Sequence, residues 1–260
     1  MPSGRAAERS KLIQVVCIKQ VADTETRVKI APDGKSLDPV GVTWILNPYD
    51  EFAIEKALRV KEQAGGEVIA VSLGPAGVQT ALRGVLALGA DRAIHVRHDG
   101  PALDSLAVAR ALAEAVKPLA PGLVWFGKQA VDDDAAQVGP MLATLLSMPC
   151  VTVVAAFALE GGKATLEREI EGGREVIEVV LPAVLTTDKG LNEPRYASLK
   201  GIMAAKKKPI EERPAASGEA ALEVVSLSLP PARGAGRIVG EGPAAVPELV
   251  RLLREEARVI

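Results

Sequence analysis

The sequence is poor in the residues that carry metal and disulfide chemistry. Its 260 residues include two cysteines, Cys17 and Cys150, and two histidines, His95 and His98. These are too few and too scattered for a zinc site or a disulfide framework, and two isolated thiols suit a reducing compartment. A formal net charge of -2 leaves no field to gather nucleic acid or an anionic membrane surface. No apolar run approaches the ~20 residues that span a bilayer. Met1 to Lys11 is polar and basic, without the apolar stretch of a secretory signal. These absences predict a cytoplasmic protein with no nucleic-acid partner and no direct membrane insertion. Neither a GxxxxGK[ST] phosphate loop nor a GxSxG nucleophile elbow occurs. The run from Gly234 to Gly240 has one residue too many for a dinucleotide fingerprint and no strand before it, so it reads as a loop. His95 and His98 follow a strand with no nucleophile nearby and read as surface histidines. No catalytic residue and no metal site is expected.

What is present is a core and a rhythm. At 48% apolar, the chain can bury a full interior. Leu12–Ile18, Glu67–Leu73, Arg92–Val96 and Leu123–Gly127 read as buried strands rich in Val, Ile and Leu. Helical patterns lie between them at 49–64, 76–88, 104–117 and 134–147. In the first, Ala53, Ile54, Ala57 and Leu58 recur at helical spacing, Asn47 sits as N-cap, and Pro48 fits the first helical position. Such alternation predicts a mostly parallel sheet covered on both faces. After Cys150 the rhythm changes. Val151–Leu159, Thr165–Ile170 and Arg174–Leu181, separated by Gly-Gly turns, predict antiparallel hairpins. A polar segment at 188–208 follows, then a linker at 209–221, a possible strand at 223–229, and a closing helix near 244–257 reached through irregular chain. The domains expected are a polar tail at 1–11, an α/β nucleotide-binding domain at 12–208, and a linker with C-terminal arm at 209–260.

Three segments have chemical character. A buried strand runs into Gly127 and is followed by Lys128, Gln129, Ala130, Val131, Asp132, Asp133, Asp134, Ala135, Ala136, Gln137 and Val138, with a helix expected from Asp134. Ligands of open α/β sheets bind where strands end and helices begin, and free N–H groups plus Lys128 suit a phosphate. The aspartates oppose an anion, although one can cap the helix and others can accept from a ribose. By pattern alone, nucleotide site and simple helix cap stand about even. The second segment is Asn47, Pro48, Tyr49 and Asp50, already explained as a helix start. The third, 188–208, places Leu199, Ile202 and Met203 among charges. That is either a solvated loop ending in a short helix or a mixed surface that docks a partner.

The run from Leu191 through Asn192, Glu193, Pro194, Arg195, Tyr196, Ala197 and Ser198 to Leu199, continuing through Ile202 and Met203 to Lys206–Lys208, resembles the signature segment of electron-transfer flavoprotein β subunits. Val16–Val21, Asn47-Pro48, Leu88–Arg92 and Gly127–Ala130 with its acidic continuation match in the same order. The similarity extends from about residue 12 to the C-terminus. The resemblance implies a Rossmann-like α/β domain with a hairpin excursion and a C-terminal arm. It also implies a heterodimer whose α subunit holds most of a shared FAD, with a structural AMP in the small subunit. Function would be electron relay, from flavin dehydrogenases such as acyl-CoA dehydrogenases to a membrane quinone oxidoreductase. On that resemblance, AMP contacts map onto Cys17, Asn47 to Asp50, Leu73 and Gly127 to Val138. The docking loop maps onto Asn192–Lys200 with Leu199 as apolar anchor, and Tyr49 and Thr24 lie near the flavin. Ala136 and Val138 stand where many AMP-binding members carry Asn and Thr, and the stretch to Pro140 resembles bifurcating relatives with a second FAD in this pocket. The unbroken Asp132–Asp134 run favours AMP. Rival classes are a nucleotide hydrolase, against which the missing phosphate loop counts, and a stand-alone AMP-binding regulator.

Overall fold

The computed structural model describes residues 11–215, 220–232 and 234–260. Its frame is a nine-stranded sheet. β1 (Ile13–Cys17) lies in the middle, hydrogen-bonded in parallel to β4 (Glu67–Gly74) on one side and to β6 (Leu123–Gly127) on the other. β5 (Arg92–Arg97) and then β11 (Ile210–Pro214) extend the first side. β10 (Ala183–Thr187) and β7 (Cys150–Glu160) extend the second, still in parallel. β8 (Lys163–Ile170) and β9 (Gly173–Val180) then add an antiparallel meander. A separate antiparallel pair, β2 (Gln20–Ala22) with β3 (Trp44–Leu46), leads from β1 to the first helix.

Side-chain alternation divides the core into two layers. Val16, Trp125 and Leu185 face α1 (Pro48–Ala64) and α2 (Val78–Leu88), where Ile54 and Leu82 meet them. Val15, Ile69 and Val124 face α3 (Ser105–Val116) and α4 (Val138–Leu146), where Leu112 and Leu142 meet them. A strand covered on both faces needs apolar residues at every position, which is why β1, β4 and β6 read as continuous runs. The buried polar residues of these strands are satisfied: Gln14 accepts from Trp125 Nε1 at 3.0 Å and donates to Ala57 O at 3.1 Å, and Ser72 donates to Ile18 O at 2.7 Å. Two further helices complete the described chain, α5 (Leu199–Ala205) and α6 (Val246–Glu255). Among the described residues, no helix is long and apolar enough to cross a membrane.

Several expectations need correction. The stretch read as linker contains β11, whose sheet edge carries Glu211, Glu212 and Arg213. Charge on an edge strand blocks further pairing and also hides the strand from a hydrophobicity pattern. Residues 223–229 are irregular rather than a strand. The helix expected from Asp134 begins four residues later, at Val138, because Asp134 and Ala136 take positive φ values of 49° and 53° that no helix contains. His95 is no surface residue. It is fully buried in β5, with Nε2 2.9 Å from Gly74 O and Nδ1 3.3 Å from Gln79 Nε2. The expected tail lies largely outside the described residues, as does part of the linker at 216–219.

Candidate functional site

The order of strands reverses between β1 and β6: from β1 the chain winds outward through β4 and β5, then returns through α3 to the other side. At such a switch point the helices after neighbouring strands diverge and leave a crevice at the carboxyl ends. Cys17, Lys19 and Gly127 stand at those ends, and the start of α1 closes over them.

Asp50 organises the crevice. Its Oδ2 accepts from Lys19 N at 2.7 Å, and its Oδ1 accepts from Gly127 N and Asn47 Nδ2, each at 3.0 Å. Burial pushes its carboxyl up to about 7, against the opposing effect of those donors and the Lys19 charge. Asn47 occupies the N-cap position of α1 but caps nothing. Instead it donates to Gln129 O at 2.9 Å and accepts from Val131 N at 3.2 Å. The two candidate segments, 47–50 and 127–131, are thereby fastened into one wall. Gly127 is required there, since a Cβ would lie 2.5 Å from Asp50 Oδ1 and 2.7 Å from the Tyr49 backbone.

Each aspartate of the acidic run has a hydrogen-bond donor, although one ammonium serves two of them. Lys19 Nζ reaches Asp132 at 2.8 Å and Asp133 at 3.0 Å, and Asp134 accepts from Gln129 Nε2 at 2.7 Å. Lys128 pairs with Asp188 at 3.0 Å, and its ammonium lies 5.0 Å from the centre of the Tyr49 ring. Residues 131–133 form a turn, Ala135 and Ala136 continue it, and Gln137 stands before α4. The first turn of α4 has no side-chain cap and no acidic residue; Pro140 has no N–H and Met141 N donates to Gln137 O, which leaves the N–H groups of Val138 and Gly139 without an intrahelical acceptor. Cys17 is buried beneath this wall, where burial, and secondarily Asp50, raises its thiol far above the ordinary range; it is a packing group, not a nucleophile. Leu73 packs against the same layer at the end of β4. Two participants escaped the sequence reading. Lys19 follows the first strand directly, a position that the switch-point argument could have flagged. Thr187 accepts through its backbone O from Lys128 N at 2.8 Å, and it ends a strand that was not foreseen.

The segment expected to dock a partner lies apart from this crevice, along α1. Asn192 donates to Phe52 O at 2.9 Å, and Arg59 donates to Glu193 O at 3.2 Å. Pro194 is half-buried, whereas Tyr196 and Leu199 are 98% and 83% exposed, with Ile202 and Met203 exposed on α5. Ser198 caps α5 by accepting from Gly201 N at 3.0 Å. Lys208 serves the neighbouring α2 rather than its own helix, donating to Leu86 O at 3.1 Å and to Ala90 O at 2.5 Å. Among the described residues no cluster of His, Cys, Asp or Glu could hold a metal ion.

Residues 36–218 match the electron transfer flavoprotein domain family. The chain is 42% identical over 247 residues to "Electron transfer flavoprotein subunit beta" of Syntrophomonas wolfei, covering 94% of this chain and 97% of that protein. It is 44% identical over 254 residues to the mitochondrial subunit beta of Oryza sativa subsp. japonica, covering 95% and 99%. It is 42% identical over 260 residues to the subunit beta of Mus musculus, covering 96% and 100%. Similarity of this extent, on the fold just described, places the chain in the electron transfer flavoprotein family, among its beta subunits.

Proposed function

We propose that this chain is the small subunit of a heterodimeric electron carrier. It binds a larger α subunit, closes one side of an FAD held mostly by that partner, and keeps AMP in its own crevice. Flavin dehydrogenases, acyl-CoA dehydrogenases among them, deliver electrons to the FAD, and a membrane quinone oxidoreductase removes them. Full-length similarity to beta subunits is the observation that carries this reading.

The crevice fits an adenine nucleotide. The uncapped start of α4 offers the N–H groups of Val138 and Gly139 to a phosphate, and the wall of 127–131 is fixed before any ligand arrives. The FAD supplies the redox chemistry when bound. This chain contributes position and exclusion of water, not a bond-breaking group, so it is a carrier subunit rather than an enzyme. Exposed apolar residues on the C-terminal arm, including Leu222, Val225, Leu229, Ile238 and Val259, suit a surface that the α subunit covers. The exposed Tyr196, Leu199 and Met203 suit a dehydrogenase. Co-purification of the chain with its large subunit, followed by mixing with an acyl-CoA dehydrogenase and its acyl-CoA, tests the reading. The flavin of the pair should bleach at a rate that rises with dehydrogenase concentration and pass electrons to a quinone reductase. A flavin that only chemical reductants bleach would contradict the carrier role.

A further inference from the structure

Arg195 is placed unlike the residues around it. Tyr196 and Leu199 point into solvent, whereas the Arg195 guanidinium folds back onto α1. Its Nε donates to Glu55 Oε2 at 2.6 Å and its Nη1 to Glu62 Oε1 at 2.5 Å, while Nη2 lies 3.2 Å from the second oxygen of each. The Arg195 backbone N adds a bond to Glu55 Oε2 at 3.2 Å. Glu55 is only 3% exposed and is held from its own helix by Arg59 at 2.5 Å. A planar fork engaged by two carboxylates commits four of its five N–H donors inside the molecule and fixes direction as well as distance. Between Asn192 and the start of α5 the chain has no regular structure. Its course there depends on side chains of α1.

We propose that Arg195 is a positioning residue: it clasps the docking loop to α1 through Glu55 and Glu62, so that Leu199 and Tyr196 are presented before a dehydrogenase arrives. The proposal rests on the docking role given to this loop and makes Arg195 an internal support of the loop rather than a contact of its own. Ordering a loop in advance removes that entropic cost from association. Loss of the clasp therefore weakens docking without altering the flavin.

The test uses the heterodimer with an acyl-CoA dehydrogenase as electron donor, comparing Arg195→Gln, Arg195→Lys, Glu55→Gln, Leu199→Ala and the double variant of Arg195→Gln with Leu199→Ala. Arg195→Gln should raise the KM for the flavoprotein about tenfold, leave kcat and dithionite reduction of the flavin unchanged, and speed amide exchange across 192–200. Glu55→Gln should do the same, although so buried a side chain cannot reach a partner. Arg195→Lys, which satisfies one carboxylate at a time, should fall between. Adding Leu199→Ala to Arg195→Gln should cost less than Leu199→Ala costs alone, because the two act through one contact. The KM loss should persist in salt that screens surface charge. Wild-type KM in Glu55→Gln, with an Arg195→Gln loss that disappears at high salt, would overturn the clasp and return Arg195 to the docking surface. If Leu199→Ala has no effect, the docking role itself fails. Amide exchange then still decides the clasp: unchanged exchange at 192–200 in Arg195→Gln would overturn it.

Discussion

At the scale of single residues, the structure separates groups that hold from groups that present. Leu199 presents. Its truncation to Ala removes an exposed anchor that touches little of its own fold, so melting should barely move while dehydrogenase docking weakens by ~1–3 kcal/mol, or roughly ten- to a hundredfold. Unchanged reduction kinetics with a lowered melting temperature would assign Leu199 to internal packing. Asp50 holds. Its folded carboxyl is raised from 3.8 to about 7, so between those values the folded state binds more proton than the unfolded one. The stability this group lends is then fully present below about pH 4 and is lost as pH rises through about 7. Melting of wild type and Asp50→Asn across pH 5 to 8 measures this directly: wild type should lose ground to the variant as pH rises. A constant difference would show that Asp50 does not titrate in that window. The sequence marked Asp50 as a helix-start acid, which it is by position. It gave no hint that three donors from separate segments converge on it, because such convergence belongs to the fold and not to the spacing. His95 shows a different limit: it falls inside the expected buried strand Arg92–Val96, and only its polarity argued for the surface, because the acceptor that satisfies it, Gly74 O, belongs to the fold.

At the scale of elements, β1, β4, β5 and β6 were legible because Val, Ile and Leu recur through each, and the hairpins were legible from their Gly-Gly turns. β10 was not. It has five buried residues, directly after a proline, with too little length to show a period. β11 was hidden by the charges that protect its edge. The start of α4 was misplaced because three aspartates resemble a cap, whereas here they serve the turn and Lys19. These junctions are where the crevice is made, and Gly127 is the tightest of them. Gly127→Ala would drive a methyl into Asp50 and the Tyr49 backbone, separating α1 from the end of β6. We expect a loss of ~1–3 kcal/mol, as for an overpacked site, together with reduced nucleotide retention. Chemical denaturation and nucleotide extraction on the same preparation would check both. A stable variant that keeps its nucleotide would show that the junction yields more easily than its contacts indicate.

At the scale of the whole molecule, α1 connects the two working regions. At about 1.5 Å per residue its 17 residues span roughly 25 Å. Its first turn forms the wall of the crevice, and its middle holds the segment proposed to dock a dehydrogenase, through Phe52, Glu55, Arg59 and Glu62. The arm beyond β11 leaves a series of apolar side chains exposed, and an isolated monomer gains nothing from that arrangement. The chain is therefore, on the proposed function, half of a carrier, and what the pair contains decides that reading. The most direct measurement is acid extraction of cofactors from the heterodimer formed with the large subunit, set beside the same extraction from this chain alone. One FAD and one AMP per pair are expected, with little FAD on the isolated chain. Stoichiometric FAD on the chain alone would contradict the division of labour between subunits. Two FAD and no AMP per pair would show that the apolar Ala136 and Val138 shape the crevice for a second flavin instead.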